Sequence, residues 1–437
     1  MLSKLSLTYK KLHIGAIFFL LLTASCQKQA EEPVPLTPTN PNSAINNYVW
    51  NVMREIYLWN DKMPQNIDPN KFETPEKLLD TLIYKSLDRF TNIRKDNGAS
   101  ANQILTGSSA GYGIRIGLEA QKNWRIVSVF PNSPASEAGL VRGMRIISVD
   151  GVATSPTQAP ALSQNQSVGS TIEVEGLDGK VSLIKAIPRA YTQQPIIHRE
   201  VRTVGNKKVA YLVYQSFIKA SELALNEAFA FFKQQGANEL VVDLRYNGGG
   251  EGEVMLGFAS LIAPASATGR TFYRVEYNNK NSGRNALVPF KENMNKLNIS
   301  KVIFITTGNT ASASEVSING LMPHIQVVTI GSRSFGKFVG SPILVEQGYS
   351  FSPIFQQTVN SRGEFPPNGI EPTFEAADDF TRAWGDEREP MFRAALHYAV
   401  NGSFAGLPTN GRVESTIASP LTYSTDNEVE GLYFVQK

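Results

Sequence analysis

The chain has 437 residues, with 42 basic and 39 acidic side chains, four histidines and one cysteine. At ~150 residues per domain this length accommodates about three domains. With 42% hydrophobic and 19% charged residues there is ample material for packed cores, so collagen, coiled coil and wholesale disorder are excluded.

The first element is a leader. Lys4, Lys10 and Lys11 form a basic start, and the apolar run Ile14 to Leu22 follows. Its nine residues are too few for a bilayer, which takes ~20, but they suit the apolar centre of a signal peptide. Thr23, Ala24 and Ser25 lead directly to Cys26. This stretch resembles a bacterial lipobox, with Leu22 four rather than three residues before the cysteine. The resemblance implies a signal peptide over 1–25, a lipid on Cys26, and a lipid-anchored protein of the bacterial cell envelope, on the outer membrane or the periplasmic face. The plain alternative is a secreted protein whose cysteine is incidental. An unpaired thiol in an oxidising compartment is a liability, whereas an acylated one is an anchor, and that favours the lipid. Without the leader's three lysines, 39 basic groups face 39 acidic ones, so charge gives no reason to expect nucleic acid. His13, His198, His324 and His397 lie far from one another and from Cys26 in sequence. A metal site therefore has almost nothing to be built from, and no metal or other cofactor is expected.

Residues 26–43 form a polar stretch with Pro33, Pro35, Pro38 and Pro41, the composition of a stiff tether. A helical stripe of Ile45, Tyr48, Val49, Val52, Ile56 and Trp59 then opens a helical unit over 44–108, with a second helix expected at Lys77–Phe90. The aromatic residues Tyr48, Trp50, Tyr57 and Trp59 read as core anchors. Over 109–190 the texture changes to short strands at Ile114–Leu118, Arg125–Phe130, Arg145–Val149 and Thr171–Val174, separated by turn residues at 131–134 and 150–151. From 191 to 400 strands at Val209–Tyr214, Leu240–Leu244, Val302–Thr306 and Gln326–Ile330 alternate with helices at Ser221–Gln235, Glu253–Ile262 and 312–321. That succession argues for a layered α/β core, in a multidomain α+β chain. Periodicity fades after Asn401, and 401–437 reads as a tail or irregular cap.

In the β-rich region, Gly111-Tyr112-Gly113-Ile114 opens a strand, Ser133 to Leu140 reads as a short helix closed by Gly139, and Gly143 to Gly151 follows as turn, strand and tight turn. This order resembles a PDZ domain of the bacterial protease type. The resemblance implies that Gly111, Tyr112, Gly113 and Ile114 cradle a peptide's terminal carboxylate while the peptide pairs with the neighbouring strand.

Two segments carry the chemistry. Leu240 to Gly250 is an apolar strand entering a Gly-rich turn ahead of a helix, where unshielded amides can receive an oxyanion. Asn309-Thr-Ala-Ser-Ala-Ser-Glu315 again joins a strand to a helix, and its small residues let a serine project its oxygen. Further on, Gly331-Ser-Arg-Ser-Phe-Gly-Lys337 sets glycines around one lysine. Together these pieces resemble the C-terminal processing peptidases, also called tail-specific proteases, over most of the chain through Gly369-Ile370-Glu371-Pro372.

The resemblance implies a crotonase/Clp-protease-like layered core and a serine endopeptidase that cuts polypeptides near accessible C-termini, with a homo-oligomer as one assembly open to it. It assigns the nucleophile to Ser312 and the general base to Lys337, 25 residues later. The oxyanion hole falls to the amides of Ala313 and of one residue among Gly248 to Gly250, with Gly249 preferred. A lysine of ordinary pKa ~10.4 would need a drop of ~3 units, or ~4 kcal/mol, to act as a neutral base near neutrality. Many family members carry Gln four residues after the lysine; here that place belongs to Ser341, assigned the same positioning role, and Phe338 replaces a glycine. The competing reading is a catalytically weak or inactive PDZ-containing peptide-binding scaffold.

Other strings are weaker. Gly107-x-Ser109-x-Gly111 lacks the helix a nucleophile elbow needs, and Ser334-Phe-Gly-Lys337 carries a glycine where its motif needs helix. A Ser-His-Asp triad would have to recruit His198, His324 or His397. Asp243 and Arg245 read as a structural ion pair at a strand end.

Overall fold

The computed structural model describes residues 40–119 and 122–408, together with the backbone of 417–424 and 431–434. The leader, Cys26 and most of the proline-rich stretch lie outside the described residues.

A six-stranded sheet occupies the centre, in the order Ile196–Val204, Lys207–Tyr214, Glu239–Asp243, Lys301–Thr306, Gln326–Gly331 and Phe374–Glu375. Its first pair is antiparallel and every later pair parallel. The near-continuous apolar character of these strands follows from burial on both faces. Alternate residues divide between two cores. Leu212, Leu240, Val242 and Phe304 pack with Phe229, Phe258 and Leu321 from the helices Ser221–Gln234, Gly252–Ile262 and Ala313–Leu321. Tyr211, Val241, Ile303 and Ile305 pack with Phe392, Ala395 and Leu396 from helix Pro390–Asn401. The strands and helices expected here from the sequence appear within a residue or two of their places.

In the N-terminal unit, helix Ser43–Ile56 lays Ile45, Val49 and Met53 against Leu78, Leu79 and Leu82 of helix Pro75–Leu82. Tyr57 and Trp50 are buried, with Tyr48 and Trp59 packed against them, as core anchors should be. The expected helix over 77–90 stops at Leu82. The cause is Asp88, whose buried carboxylate accepts from Tyr57 Oη at 2.7 Å and from the amides of Phe90 and Thr91, both at 2.9 Å. Those donors are available to it only if the backbone turns instead of continuing as helix.

The β-rich unit is an antiparallel sheet of Ile114–Glu119, Trp124–Val129, Arg145–Val149, Ser170–Glu175 and Val181–Ala186 around Tyr112, Ile116, Ile126, Ile146 and Ile172. Ser133 caps its short helix Pro134–Glu137. Arg115 fixes the unit to the central layer by donating to Tyr246 O at 2.8 Å and to the Gln215 side chain.

The stretch after Asn401, read as irregular, contains two strands. Ile417–Ser424 adds antiparallel to the edge of Ile114–Glu119. Gly431–Phe434 enters a second six-stranded sheet, ordered Gly249–Glu251, Gly431–Phe434, Val339–Pro342, Gln356–Asn360, Thr271–Tyr277 and Ala286–Pro289.

Candidate active site

The parallel strands Glu239–Asp243, Lys301–Thr306 and Gln326–Gly331 are neighbours, so their C-terminal ends open on one edge of the sheet. The segments leaving them are the Gly-rich turn, the Ser312 loop and the Lys337 loop. Sites on open parallel sheets form at such ends.

Ser312 precedes helix Ala313–Leu321 and has φ +60° and ψ −113°, a strained conformation for a residue with a Cβ. It is fully buried, and its Oγ has no hydrogen-bond partner among the described residues. Strain at a residue with a Cβ and a buried hydroxyl without a partner are both costs to folding. The Ala313 amide opens the helix and so lacks an intrahelical acceptor.

The Gly-rich turn is stitched to the serine loop. Thr310 Oγ1 donates to Leu244 O at 2.8 Å, while the Ala311 amide and Ser314 Oγ both donate to Asn247 O at 3.0 Å. Gly249 has φ +106°, and a Cβ there would stand 2.9 Å from Ser312 Cβ and 3.0 Å from the Ala313 amide. Only glycine permits that approach. The Gly249 amide, preferred above as an oxyanion donor, is engaged by Asn247 Oδ1 at 2.9 Å. Gly249 O and the Glu251 amide are both bonded to Phe217, so the Gly250 backbone faces the opposite way, toward strand Gly431–Phe434. The outward-facing amide of this turn is therefore that of Gly250.

One carboxylate ties the serine helix to the lysine loop. Glu315 is fully buried; it accepts from the Ser312 amide at 2.8 Å, the Gly336 amide at 2.6 Å, the Lys337 amide at 2.7 Å and the Ser334 hydroxyl. Burial pushes its pKa above the ordinary range, and these hydrogen bonds offset that only in part. The sequence signal was present as Ser-x-x-Glu at a helix start, which places the glutamate where it reaches back to the amide of the first residue.

Lys337 is buried, with Nζ 5.4 Å from the Phe90 ring centre. The N-terminal unit holds this loop from outside, since Arg89 donates to Phe335 O at 2.9 Å and packs its guanidinium over the Phe335 ring. Ser341 is also buried, but its Oγ bonds no described residue, Lys337 included. Ser341 lies in the strand Val339–Pro342, and no hydrogen bond from its hydroxyl supports the positioning role expected for it.

The remaining expectations resolve by position. Gly111 and Gly113 adopt positive φ, Tyr112 and Ile114 point into the core of the β-rich unit, and Tyr112 O and Gly113 O accept from the amides of Ala135 and Phe130, both at 2.9 Å. His324 contacts Thr271 O, Ser361 and Phe290, His198 contacts Tyr211 and Glu200, and His397 contacts Ala405 O, so none of them is bonded to Ser312. Arg245 and Asp243 form the buried ion pair expected of them, and Arg245 also reaches Asp378 at 2.7 Å and Glu389 at 3.1 Å. Arg142 of the β-rich unit joins the same network through Asp378 at 3.2 Å.

Residues 208–376 match the family described as Peptidase family S41, and residues 44–91 match the Peptidase S41 N-terminal domain. A carboxyl-terminal-processing protease of Synechocystis sp. is 23% identical over 308 residues, 68% of this chain and 67% of that protein. Carboxy-terminal processing protease CtpA of Bacillus subtilis is 26% identical over 275 residues, 60% of this chain and 55% of that protein. Among solved structures, one from Bacteroides fragilis described as an S41 protease is similar with a TM-score of 0.68 and 26% identity, covering 80% of this chain and 96% of that one. Both family matches and the relatives support the peptidase S41 family and, with it, a serine-type peptidase hydrolase of mixed α/β fold.

Proposed function

We propose that the protein is an endopeptidase of the C-terminal processing type, in which Ser312 is the nucleophile and Lys337 the general base. The observation that carries this reading is the Glu315 carboxylate, which accepts from the amides of both Ser312 and Lys337 and so fixes two distant segments to one point. Ser312 Oγ attacks the scissile carbonyl while the neutral Lys337 amine takes its proton. The amides of Ala313 and Gly250 receive the developing oxyanion, and Lys337 returns the proton to the leaving amine. Water then attacks the acyl-enzyme by the same exchange and releases the second product. A crotonase-like core would present this constellation, and the β-rich unit, as a PDZ-like domain, would bring in polypeptides with accessible C-termini. Anchoring through a lipid on Cys26 at the cell envelope belongs to the same proposal. Among the described residues no helix is long and apolar enough to cross a membrane; Cys26→Ala should move the protein from the membrane fraction to the soluble one, and continued membrane association would rule the anchor out.

The enzymatic reading is tested by incubating casein with the chain from Gln27 onward, beside its Ser312→Ala variant, and reading products by mass spectrometry. Cleavage that falls by ~10⁴-fold or more in the variant is expected. Equal cleavage by both proteins would remove Ser312 from the nucleophile's place, and no cleavage by either would favour a peptide-binding scaffold.

A further inference from the structure

The two strands beyond Asn401 occupy the two backbone edges that a peptide substrate would need. Strand Ile417–Ser424 pairs with Ile114–Glu119 in the register Thr422 to Gly117, Tyr423 to Ile116 and Ser424 to Arg115. It runs antiparallel, so its later residues lie at the Gly111–Ile114 end of the strand. That is the direction in which a peptide's C-terminal side would approach the loop by strand addition.

Residues 425–430 connect this strand to the second one. Strand Gly431–Phe434 lies between Gly249–Glu251 and Val339–Pro342 and is parallel to both. The far side of Gly249–Glu251 is bonded to Phe217, and the far side of Val339–Pro342 to Gln356 and Gln357. The two facing edges thus define a slot one strand wide, ~10 Å between its walls at ~4.8 Å per strand spacing. One wall holds the Gly250 amide, and the other begins two residues after Lys337. Gly431 stands opposite Gly249, whose missing side chain is what lets Ser312 Cβ approach. An extended chain in this slot is held through its main chain, which tolerates many sequences and excludes folded segments.

We propose that the strands Ile417–Ser424 and Gly431–Phe434 are internal pseudosubstrates: the first lies on the edge of the β-rich unit, the second in the slot beside Ser312, and they compete with peptide substrates for those two places. This inference rests on the proposed peptidase reading for the identity of the site, and on the two strand registers for its occupant. Extended polypeptides that can add a strand at both edges are accordingly the substrate class.

The test compares the full chain with one ending at Pro408, and with a full chain carrying Leu432→Pro, which removes a main-chain donor inside the slot. Hydrolysis of an unstructured peptide should show KM at least ~10-fold lower in the shortened chain, with Leu432→Pro shifting the same way. A fluorescein-labelled peptide of residues 417–437 should bind the shortened Ser312→Ala chain, and Leu432→Pro or Thr422→Pro in that peptide should each weaken binding ~10-fold. Unchanged KM in both chains, or binding indifferent to both proline substitutions, overturns the proposal. Binding is read without turnover, so the two ideas fail separately. An inactive enzyme that still binds the peptide contradicts only the peptidase reading, and an active one that ignores the peptide contradicts only the pseudosubstrate.

Discussion

Two buried carboxylates organise this molecule, and they do so in opposite ways. Asp378 accepts from the guanidinium groups of Arg245 and Arg142 and from the Tyr246 hydroxyl. Glu315 accepts from three backbone amides and one serine hydroxyl, with no cation among these donors. Burial pushes both upward, but the neighbouring arginines hold Asp378 below the ordinary carboxylate range, whereas burial wins at Glu315 and its pKa is raised. Asp378 joins the β-rich unit to the central layer, so its work is cohesion. Glu315 joins the Ser312 helix to the Lys337 loop, and its work is geometry. A charged partner makes a carboxylate a structural clamp, while neutral amide and hydroxyl partners let it orient backbone without adding a counter-charge to the site.

Removing the Asp378 charge should produce the largest loss of stability. Asp378→Asn leaves Arg142 and Arg245 without that carboxylate, and breaking a buried pair from one side costs about 3–5 kcal/mol. Chemical denaturation should show that loss, with activity falling only as folded protein does. Glu315→Gln should invert the pattern. It replaces one acceptor oxygen with an amide NH2 that faces N–H donors, a mismatch worth about 1–3 kcal/mol, and it should lower kcat by ~100-fold at a smaller cost in stability. A variant that unfolds like Asp378→Asn while the folded fraction keeps its full kcat would break the distinction.

The pH dependence of stability sharpens the same comparison. The folded pKa of Asp378 lies below its ordinary value of 3.8, so its contribution is present above pH 3.8 and lost as pH falls through the folded value. For Glu315, raised above its ordinary 4.5, the sign is opposite: ionisation in the folded state costs stability as pH rises from 4.5 through the folded value. Asp378→Asn should therefore flatten the acid limb of a stability curve, and Glu315→Gln should steepen it, as followed by urea titrations between pH 3 and 7.

Smaller effects are expected at the periphery of the site. Gly249→Ala puts a methyl group 2.9 Å from Ser312 Cβ, and kcat should drop ~10-fold with KM little changed. Phe90→Leu removes the ring beside Lys337 Nζ and should lower kcat by only ~2–5-fold.

The two sites were legible in the sequence to different degrees, for physical reasons. The Ser312 turn is local, because strand, small residues and helix start lie within one contiguous segment, and the helix was expected within a residue of its position. The choice among the turn glycines was not local. Asn247 Oδ1 engages the Gly249 amide, and Phe217, 33 residues earlier than Gly250, decides which way each neighbouring amide faces. Spacing after Lys337 suggests a role for Ser341, but spacing along an extended strand does not decide which partner a buried hydroxyl meets. Helix 77–90 was overextended because one buried carboxylate, Asp88, outweighs periodicity. The strands beyond Asn401 escaped notice because short edge strands owe their conformation to the edges they join. Pro420, which has no N–H to donate, falls within the register irregularity between Ile417 and Thr422 and further hides that strand's pattern.

The central claim is that Lys337 activates Ser312. It is tested most directly by the rate at which a fluorophosphonate modifies the protein, followed by intact mass and peptide mapping in wild type, Ser312→Ala and Lys337→Ala. The account predicts one adduct on Ser312, none in Ser312→Ala, and labelling slowed by ~100-fold or more in Lys337→Ala with the fold intact. An adduct on another serine, or unchanged labelling without the lysine, would contradict it.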